Sequence, residues 1–69
     1  MSDEMDFFIF LLERYAADHN TTADEVLREW DEHGITQQVF DSYFIYHQEA
    51  LSNAYADIDS LLATGKHAY

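Results

Sequence analysis

The sequence predicts an all-α protein, a compact bundle of three to four helices, from two periodic segments. The first, residues 5–16, concentrates apolar and aromatic side chains at a spacing that places most of them on one side of a helix. The second follows Thr36 and repeats apolar side chains alternately four and three residues apart, as packed helices do. Proline is absent and the two glycines stand at positions 34 and 65, so long helices can form between them.

The first helix is expected at residues 3–18, with Ser2 as its N-cap. Its apolar arc spans roughly 200°, which requires neighbours on more than one side. Phe10 lies outside this arc, among Asp6, Glu13 and Arg14. We therefore expect a second copy of the chain or a partner to cover part of this helix.

The second helix is expected at residues 23–33. Thr22 and Glu25 have the spacing of a capping box, in which each side chain binds a backbone amide at the helix start. Gly34 should end the helix, because glycine readily adopts the left-handed conformation found just after helices. Ile35 can then pack back on the last turn.

Two further helices are expected at residues 37–47 and 49–63, the first of them capped by Thr36. One continuous helix over residues 37–63 is the alternative, but at about 40 Å it is longer than a domain of this size covers. Gly65 closes the last helix, and residues 64–69 are expected to fray. The heptad-like seam of these helices comprises Phe40, Phe44, His47, Leu51, Ala54, Ile58 and Leu61.

A single domain, residues 1–69, accommodates these helices. A chain of this length buries only about 60% of its unfolded surface, and it has no cysteine, so marginal stability is expected. An apolar content of 48% nevertheless argues for a folded chain. The predicted core comprises Phe8, Leu11, Leu12, Tyr15, Val26, Leu27, Trp30, Ile35, Phe40, Tyr43, Phe44, Leu51, Ile58 and Leu61.

The chain is strongly acidic, with 14 Asp and Glu residues against three Lys and Arg residues and a formal net charge of −11. This charge disfavours direct binding to nucleic acid or to an anionic membrane, and it suits a basic protein partner. The longest apolar run, residues 7–12, is far shorter than the ~20 residues of a membrane span, and acidic residues precede it where a signal peptide would be basic. We expect a cytoplasmic protein.

No constellation of residues predicts catalysis, a cofactor or a metal site. The four histidines do not pair at helical spacing, and His19 and His33 lie at helix ends, where an imidazole interacts well with the helix dipole. His47, on the seam, is expected to be half buried. Asp57 and Asp59 lie about 200° apart on a helix, so they cannot form one acid–base pair. We therefore expect a protein that is not an enzyme.

Several short motifs carry a resemblance: residues 7–16 (FFIFLLERYA), residues 22–26 (TADEV), Gly34-Ile35, Tyr43, His47 and Asp57-Ile58-Asp59. Across about residues 6–62 the chain resembles a small bacterial domain family of unknown function. That family is often encoded beside an ADP-ribosyltransferase-like protein, in what look like toxin–antitoxin operons. The resemblance implies an all-helical antitoxin or accessory protein that binds its neighbour-encoded toxin. It also marks His47, Asp57 and Asp59 as candidate partner contacts.

The favoured hypothesis is a small acidic protein-binding module, an antitoxin-like inhibitor. Its candidate surface combines exposed Phe10 with the acidic outer face of the second helix, because a hydrophobic anchor ringed by charge gives both affinity and steered association. That acidic face comprises Glu25, Glu29 and Glu32. The alternatives are a phage-type acidic DNA mimic, which needs carboxylates at phosphate-like spacing, and a structural homodimer without independent activity.

Overall fold

Residues 2–69, the part of the chain that the computed structural model describes, form five α-helices and no strand. The helices are α1 (Asp3–Asp18), α2 (Ala23–Glu32), α3 (Thr36–Asp41), α4 (Tyr43–Tyr46) and α5 (Leu51–Thr64). Met1 of the predicted domain lies outside the described residues. The all-α prediction is confirmed, and the radius of gyration of 11.0 Å is about that of a compact domain of this length.

The first two helices begin at the side-chain caps that the sequence predicts. The Ser2 hydroxyl accepts a hydrogen bond from the Met5 amide at 3.1 Å, and the Thr22 hydroxyl accepts one from the Glu25 amide at 3.3 Å. The capping box of α2 is only half formed, because the Glu25 carboxylate pairs with Arg28 and does not bind the backbone amide of Thr22.

Both helices end in a left-handed residue with a backbone bond that closes the last turn. At the end of α1, Asn20 has a φ of 56°, and the amide that follows it donates to the Ala16 carbonyl. At the end of α2, Gly34 has a φ of 70°, and the Ile35 amide donates to the Trp30 carbonyl at 2.9 Å. The predicted roles of Gly34 and Ile35 are confirmed, and this geometry turns the chain sharply into the next element.

The predicted helix at residues 37–47 is two short helices, α3 and α4, which meet at Ser42. The expected break before the last helix is confirmed, since α4 ends at Tyr46 and α5 begins at Leu51. Thr36 is not a cap, because it is the first residue of α3 and its hydroxyl donates to Asp31.

The buried seam of α3 and α4 lies one residue away from the predicted seam. Phe44 was expected in the core and is 74% exposed, and His47 was expected to be half buried and is exposed. Ser42 can be buried at the junction because its hydroxyl donates to the Gln38 carbonyl at 2.7 Å. The residues that are buried here are Ile35, Val39, Ser42 and Tyr46. In α5 the predicted seam is correct at Ala54, Ile58 and Leu61.

Trp30 is the centre of the packing between α1 and α2. Its side chain is fully buried, and the rings of Phe8 and Tyr15 contact it edge-on at centroid distances of 6.1 and 5.5 Å. The other predicted core residues of α1 and α2 are buried or partly buried around it.

Two reciprocal tyrosine–aspartate bonds join α1 to α5. The Tyr15 hydroxyl of α1 donates to Asp59 of α5 at 3.2 Å, and the Tyr55 hydroxyl of α5 donates to Asp18 of α1 at 2.7 Å. The two phenol rings contact each other edge-on at 5.2 Å. We call these two bonds the tyrosine ties.

The last residues fold back onto the bundle, in contrast to the frayed tail expected at residues 64–69. Gly65, with a φ of 75°, reverses the chain after α5. The His67 imidazole then donates to Asp57 at 2.7 Å, the Ala68 amide donates to the same carboxylate, and the Tyr69 hydroxyl lies 3.5 Å from the Ser42 hydroxyl.

Candidate functional site

A group of five rings lies together on the surface formed by α1 and α4. We call this group the aromatic patch; its members are Phe7, Phe10, Tyr43, Phe44 and His47. Phe7 connects the two helices, because its centroid lies 6.3 Å from Phe10, 5.7 Å from Tyr43 and 6.4 Å from His47. Phe44 lies 5.7 Å from Tyr43 and 6.1 Å from His47. Two residues that the sequence singles out, Phe10 and His47, are thereby part of one surface.

The aromatic patch is well exposed for so apolar a surface. Phe10 is 47% exposed and Phe44 is 74% exposed. On α1, Phe7 lies at one edge of the buried arc and Phe10 lies beyond it, outside the arc, whereas Ile9 lies at the opposite edge. Clustered exposed rings of this kind are typical of surfaces that another molecule covers.

Charged side chains border the α1 side of the aromatic patch. The Arg14 guanidinium lies 5.9 Å from the centroid of the Phe10 ring. Asp6 and Glu13, four residues before and three after Phe10, are its neighbours on the helix surface. The patch is therefore an apolar centre with a charged margin.

His47 is held in a defined orientation within the patch. Its Nδ1–H donates to the Tyr43 carbonyl, and its ring stacks on the Tyr43 ring at 4.1 Å with an interplanar angle of 2°. His19 and His33 make the same bond to the carbonyl four residues earlier, at 2.7 and 2.9 Å. These three histidines close helix ends, which agrees with the role expected for His19 and His33.

The acidic outer face of α2 borders a different feature, a groove of about 440 Å³ between α2 and the end of α1. Arg28 lies within the row of carboxylates and pairs with Glu25, so the row is not purely anionic. The residues that line the groove are Tyr15, His19, Thr21, Glu25, Val26, Arg28, Glu29, Glu32 and His33.

The groove and the aromatic patch lie on separate faces of the molecule. Phe10 and Tyr15 are five residues apart on α1, which places them about 140° apart around the helix. Tyr15 lines the groove and Phe10 belongs to the patch. The structure therefore does not bring Phe10 together with Glu25, Glu29 and Glu32, and we treat them as two surfaces.

Asp57 is buried and fully engaged within the chain. It is 3% exposed, and its carboxylate accepts hydrogen bonds from the Tyr46 hydroxyl, the His67 imidazole and the Ala68 amide. Burial alone would raise the pKa of this carboxyl, but the three hydrogen bonds outweigh burial and hold the pKa of Asp57 below its usual value. Asp57 is therefore a structural anion. Asp59 lies on another face of α5, where it is exposed and accepts the hydrogen bond from the Tyr15 hydroxyl.

Three buried or partly buried tyrosines act as hydrogen-bond donors at any physiological pH. Burial raises the pKa of Tyr15, and the carboxylate of Asp59 raises it further. Burial and the bond to Asp57 raise the pKa of Tyr46 in the same way, and burial together with the bond to Asp18 raises the pKa of Tyr55 to about 12. A phenol that keeps its proton serves as a structural donor.

Residues 2–69 hold no group of three or more His, Asp or Glu side chains arranged to bind a metal ion. Within the same range, no helix combines the length and apolar character that crossing a bilayer requires.

Sequence reasoning missed three members of the aromatic patch: Phe7, Tyr43 and Phe44. A signal for Phe7 was present, because it lies three residues before Phe10 and is therefore its neighbour on the helix surface. Tyr43 and Phe44 gave no such signal, since their apolar spacing also fits a buried seam.

The fold and this surface define a small, acidic, all-helical domain with an exposed aromatic patch. A family model described as a protein of unknown function (DUF3791) matches residues 6–64, so the chain belongs to this family. No curated protein and no solved structure matches the chain.

Proposed function

We propose that this chain is a protein-binding module that acts as an antitoxin-like inhibitor or accessory protein of a toxin encoded beside it in a bacterium. The aromatic patch is the observation that supports this proposal most strongly. It gathers five rings from α1 and from α4 with its C-cap, and Phe44 among them is 74% exposed. Aromatic residues are enriched in protein interfaces, where a few buried anchor residues carry most of the binding energy.

The charge of the chain supports a basic partner. A net charge of −11 on 69 residues attracts a positively charged protein and speeds its association. The same charge repels nucleic acid and anionic membranes, so the proposed partner is a protein, which we place with this chain in the cytoplasm as part of the proposal. In this proposal the chain acts by binding and not by catalysis, and it needs no cofactor.

The test is to produce the chain together with the protein encoded by the adjacent gene. We expect the neighbour to arrest growth when it is produced alone, and the parent chain to restore growth and to co-purify with it. Phe10→Ala and Phe44→Ala should weaken both effects, because each removes an exposed ring from the proposed interface.

Ile9→Ala is the matched control. Ile9 is 41% exposed on the same helix as Phe10 but lies at the other edge of the buried arc. It should bind and protect like the parent chain. A neighbour that neither arrests growth nor binds the parent chain would refute the proposal.

A structural homodimer is the second candidate, since a second copy could cover the aromatic patch. Sedimentation of the isolated chain distinguishes the homodimer from the protein-binding module. A homodimer should sediment as a stable dimer, whereas the protein-binding module should sediment as a monomer that binds its partner. The acidic DNA mimic has less support, because Arg28 interrupts the row of carboxylates on α2.

A further inference from the structure

Helix α4 carries two rings of the aromatic patch, yet it is only one turn long. It comprises four residues, and His47 follows directly as its C-cap. So short a helix is not stable by itself, because one turn does not offset the entropy of ordering its backbone. Tertiary contacts must therefore fix the orientation of Tyr43, Phe44 and His47.

Phe7 of α1 contacts Tyr43 and His47 from the patch side. The buried contacts lie at both ends of α4, on the side away from the exposed rings. Ser42, at its N-cap, and Tyr46, its last residue, are both buried. The Tyr46 hydroxyl donates to Asp57 of α5. α4 is thus tied to α5 through one buried carboxylate.

The last three residues of the chain contact both of these points. His67 and Ala68 donate to Asp57, and the Tyr69 hydroxyl lies 3.5 Å from the Ser42 hydroxyl. The His67 and Tyr69 rings stack at 4.6 Å, which joins the two contacts into one unit. Asp57 receives two of its three donors from this segment, and a buried carboxylate that loses donors loses its stabilisation.

We propose that His67, Ala68 and Tyr69 form an intramolecular clasp that fixes α4 and so orients the aromatic patch, with Asp57 as the positioning residue. The clasp satisfies Asp57, and Asp57 in turn holds Tyr46. When the clasp is open, α4 retains its covalent connections and its contact with Phe7 of α1. It loses the Tyr69 contact at Ser42, and Tyr46 is then held by a carboxylate that has lost two of its three donors. The rings of the patch then sample several arrangements.

The clasp rests on intramolecular contacts alone, and only its effect on binding rests on the proposed function. Measurements on the isolated chain therefore test the clasp separately. Failure of the neighbour to bind, with the clasp intact by spectroscopy, would count against the proposed function and not against the clasp.

The experiment is nuclear magnetic resonance of the full chain at neutral pH with substitutions in the clasp. In the parent, the Ala68 amide should exchange slowly with solvent. His67→Ala should speed that exchange by about tenfold or more, because local opening controls exchange. It should also shift the resonances of Tyr43, Phe44 and His47, whereas the indole resonance of Trp30, in the α1–α2 core, should not move.

Three further variants make the test specific. Tyr69→Phe removes the hydroxyl near Ser42 and should shift the same patch resonances to a smaller extent. His67→Asn should restore protection of the Ala68 amide in part, because its side-chain amide can also donate to Asp57. Lys66→Ala is the control, since it alters the adjacent residue and its charge without removing a donor to Asp57.

Two outcomes would overturn the proposal. One is an Ala68 amide in the parent that exchanges as fast as an unstructured amide. The other is a His67→Ala variant whose Trp30 resonance shifts as much as those of the patch, which would indicate general destabilisation and no specific positioning.

Discussion

At the scale of single residues, the start of α2 depends on one hydroxyl. The Thr22 side chain accepts the one side-chain cap bond at the start of this helix among the described residues, from the Glu25 amide. Thr22→Ala should lower the free energy of unfolding by about 1 kcal/mol, as N-cap removals do. Urea melts measure this, with Thr21→Ala as the control, because Thr21 precedes the cap and contributes only its backbone amide to the preceding turn. An unchanged midpoint would show that the cap does not stabilise α2.

Asp57 should make stability fall in acid. Its pKa is lower in the folded chain than in the unfolded chain, so its stabilising contribution is present above the unfolded value of about 3.9. That contribution is lost as the pH falls through the folded-state pKa. Asp57→Asn should therefore be less stable than the parent at pH 7. The difference between the two in the free energy of unfolding should become smaller below about pH 4.

Thermal melts from pH 7 to pH 2 measure this dependence. Asp41→Asn controls for the loss of one exposed carboxylate, since Asp41 lies on the surface of α3. If the difference in melting temperature between Asp57→Asn and the parent stayed constant down to pH 2, the predicted pH dependence would be wrong.

At the scale of elements, Gly34 ends α2 in a conformation that other residues resist. Its φ is 70°, and a β-carbon placed there would meet no atom within 4 Å, so backbone strain alone should decide the cost. Gly34→Ala should therefore destabilise the chain by about 1 kcal/mol. Denaturant melts measure the change.

Gln38→Ala is the control for Gly34→Ala, because Gln38 is an exposed helical residue at which alanine is well tolerated. Equal stability of Gly34→Ala and the parent would mean that the turn after α2 relaxes to another conformation.

The elements also show which features can be predicted from sequence. The starts and ends of α1 and α2 depend on local chemistry, such as the Ser2 and Thr22 hydroxyls and Gly34, so residues close in sequence are enough to locate them. The orientation of α3 and α4 depends on what packs against them. Val39 and Tyr46 offer a stripe as apolar as Phe40 and Phe44 do. Tertiary packing in the core, together with the bond from Tyr46 to Asp57, selects Val39 and Tyr46.

The residues of the candidate site also differ in whether local sequence or tertiary packing reveals them. Phe10 was identified because it broke the pattern of its own helix, which a single helix can show. Phe7 and Tyr43 contact each other from helices distant in sequence, so the patch emerges only in the folded chain.

At the scale of the whole molecule, the two surfaces should affect binding differently. Phe10→Ala should mainly speed dissociation from the partner, because it removes contact area within the interface. Glu29→Lys, on the groove face, should mainly slow association and reduce its dependence on salt, because it changes the long-range field.

Surface plasmon resonance at several salt concentrations measures the association and dissociation rates separately. Ile9→Ala again serves as the control for losing an exposed apolar side chain of α1. Dissociation that is unchanged in Phe10→Ala would place the interface elsewhere on the molecule.

The tyrosine ties have a consequence for the order in which the chain folds. They connect residues 44 and 37 positions apart, whereas α1 and α2 are adjacent in sequence and can pair early. Bonds that form after the rate-limiting step affect the unfolding rate and leave the folding rate almost unchanged. Stopped-flow measurements on Tyr15→Phe and Tyr55→Phe should therefore show faster unfolding with a folding limb like that of the parent. A slower folding limb would instead mean that α5 docks on α1 within the folding nucleus, and that the first and last helices meet before the middle of the chain is ordered.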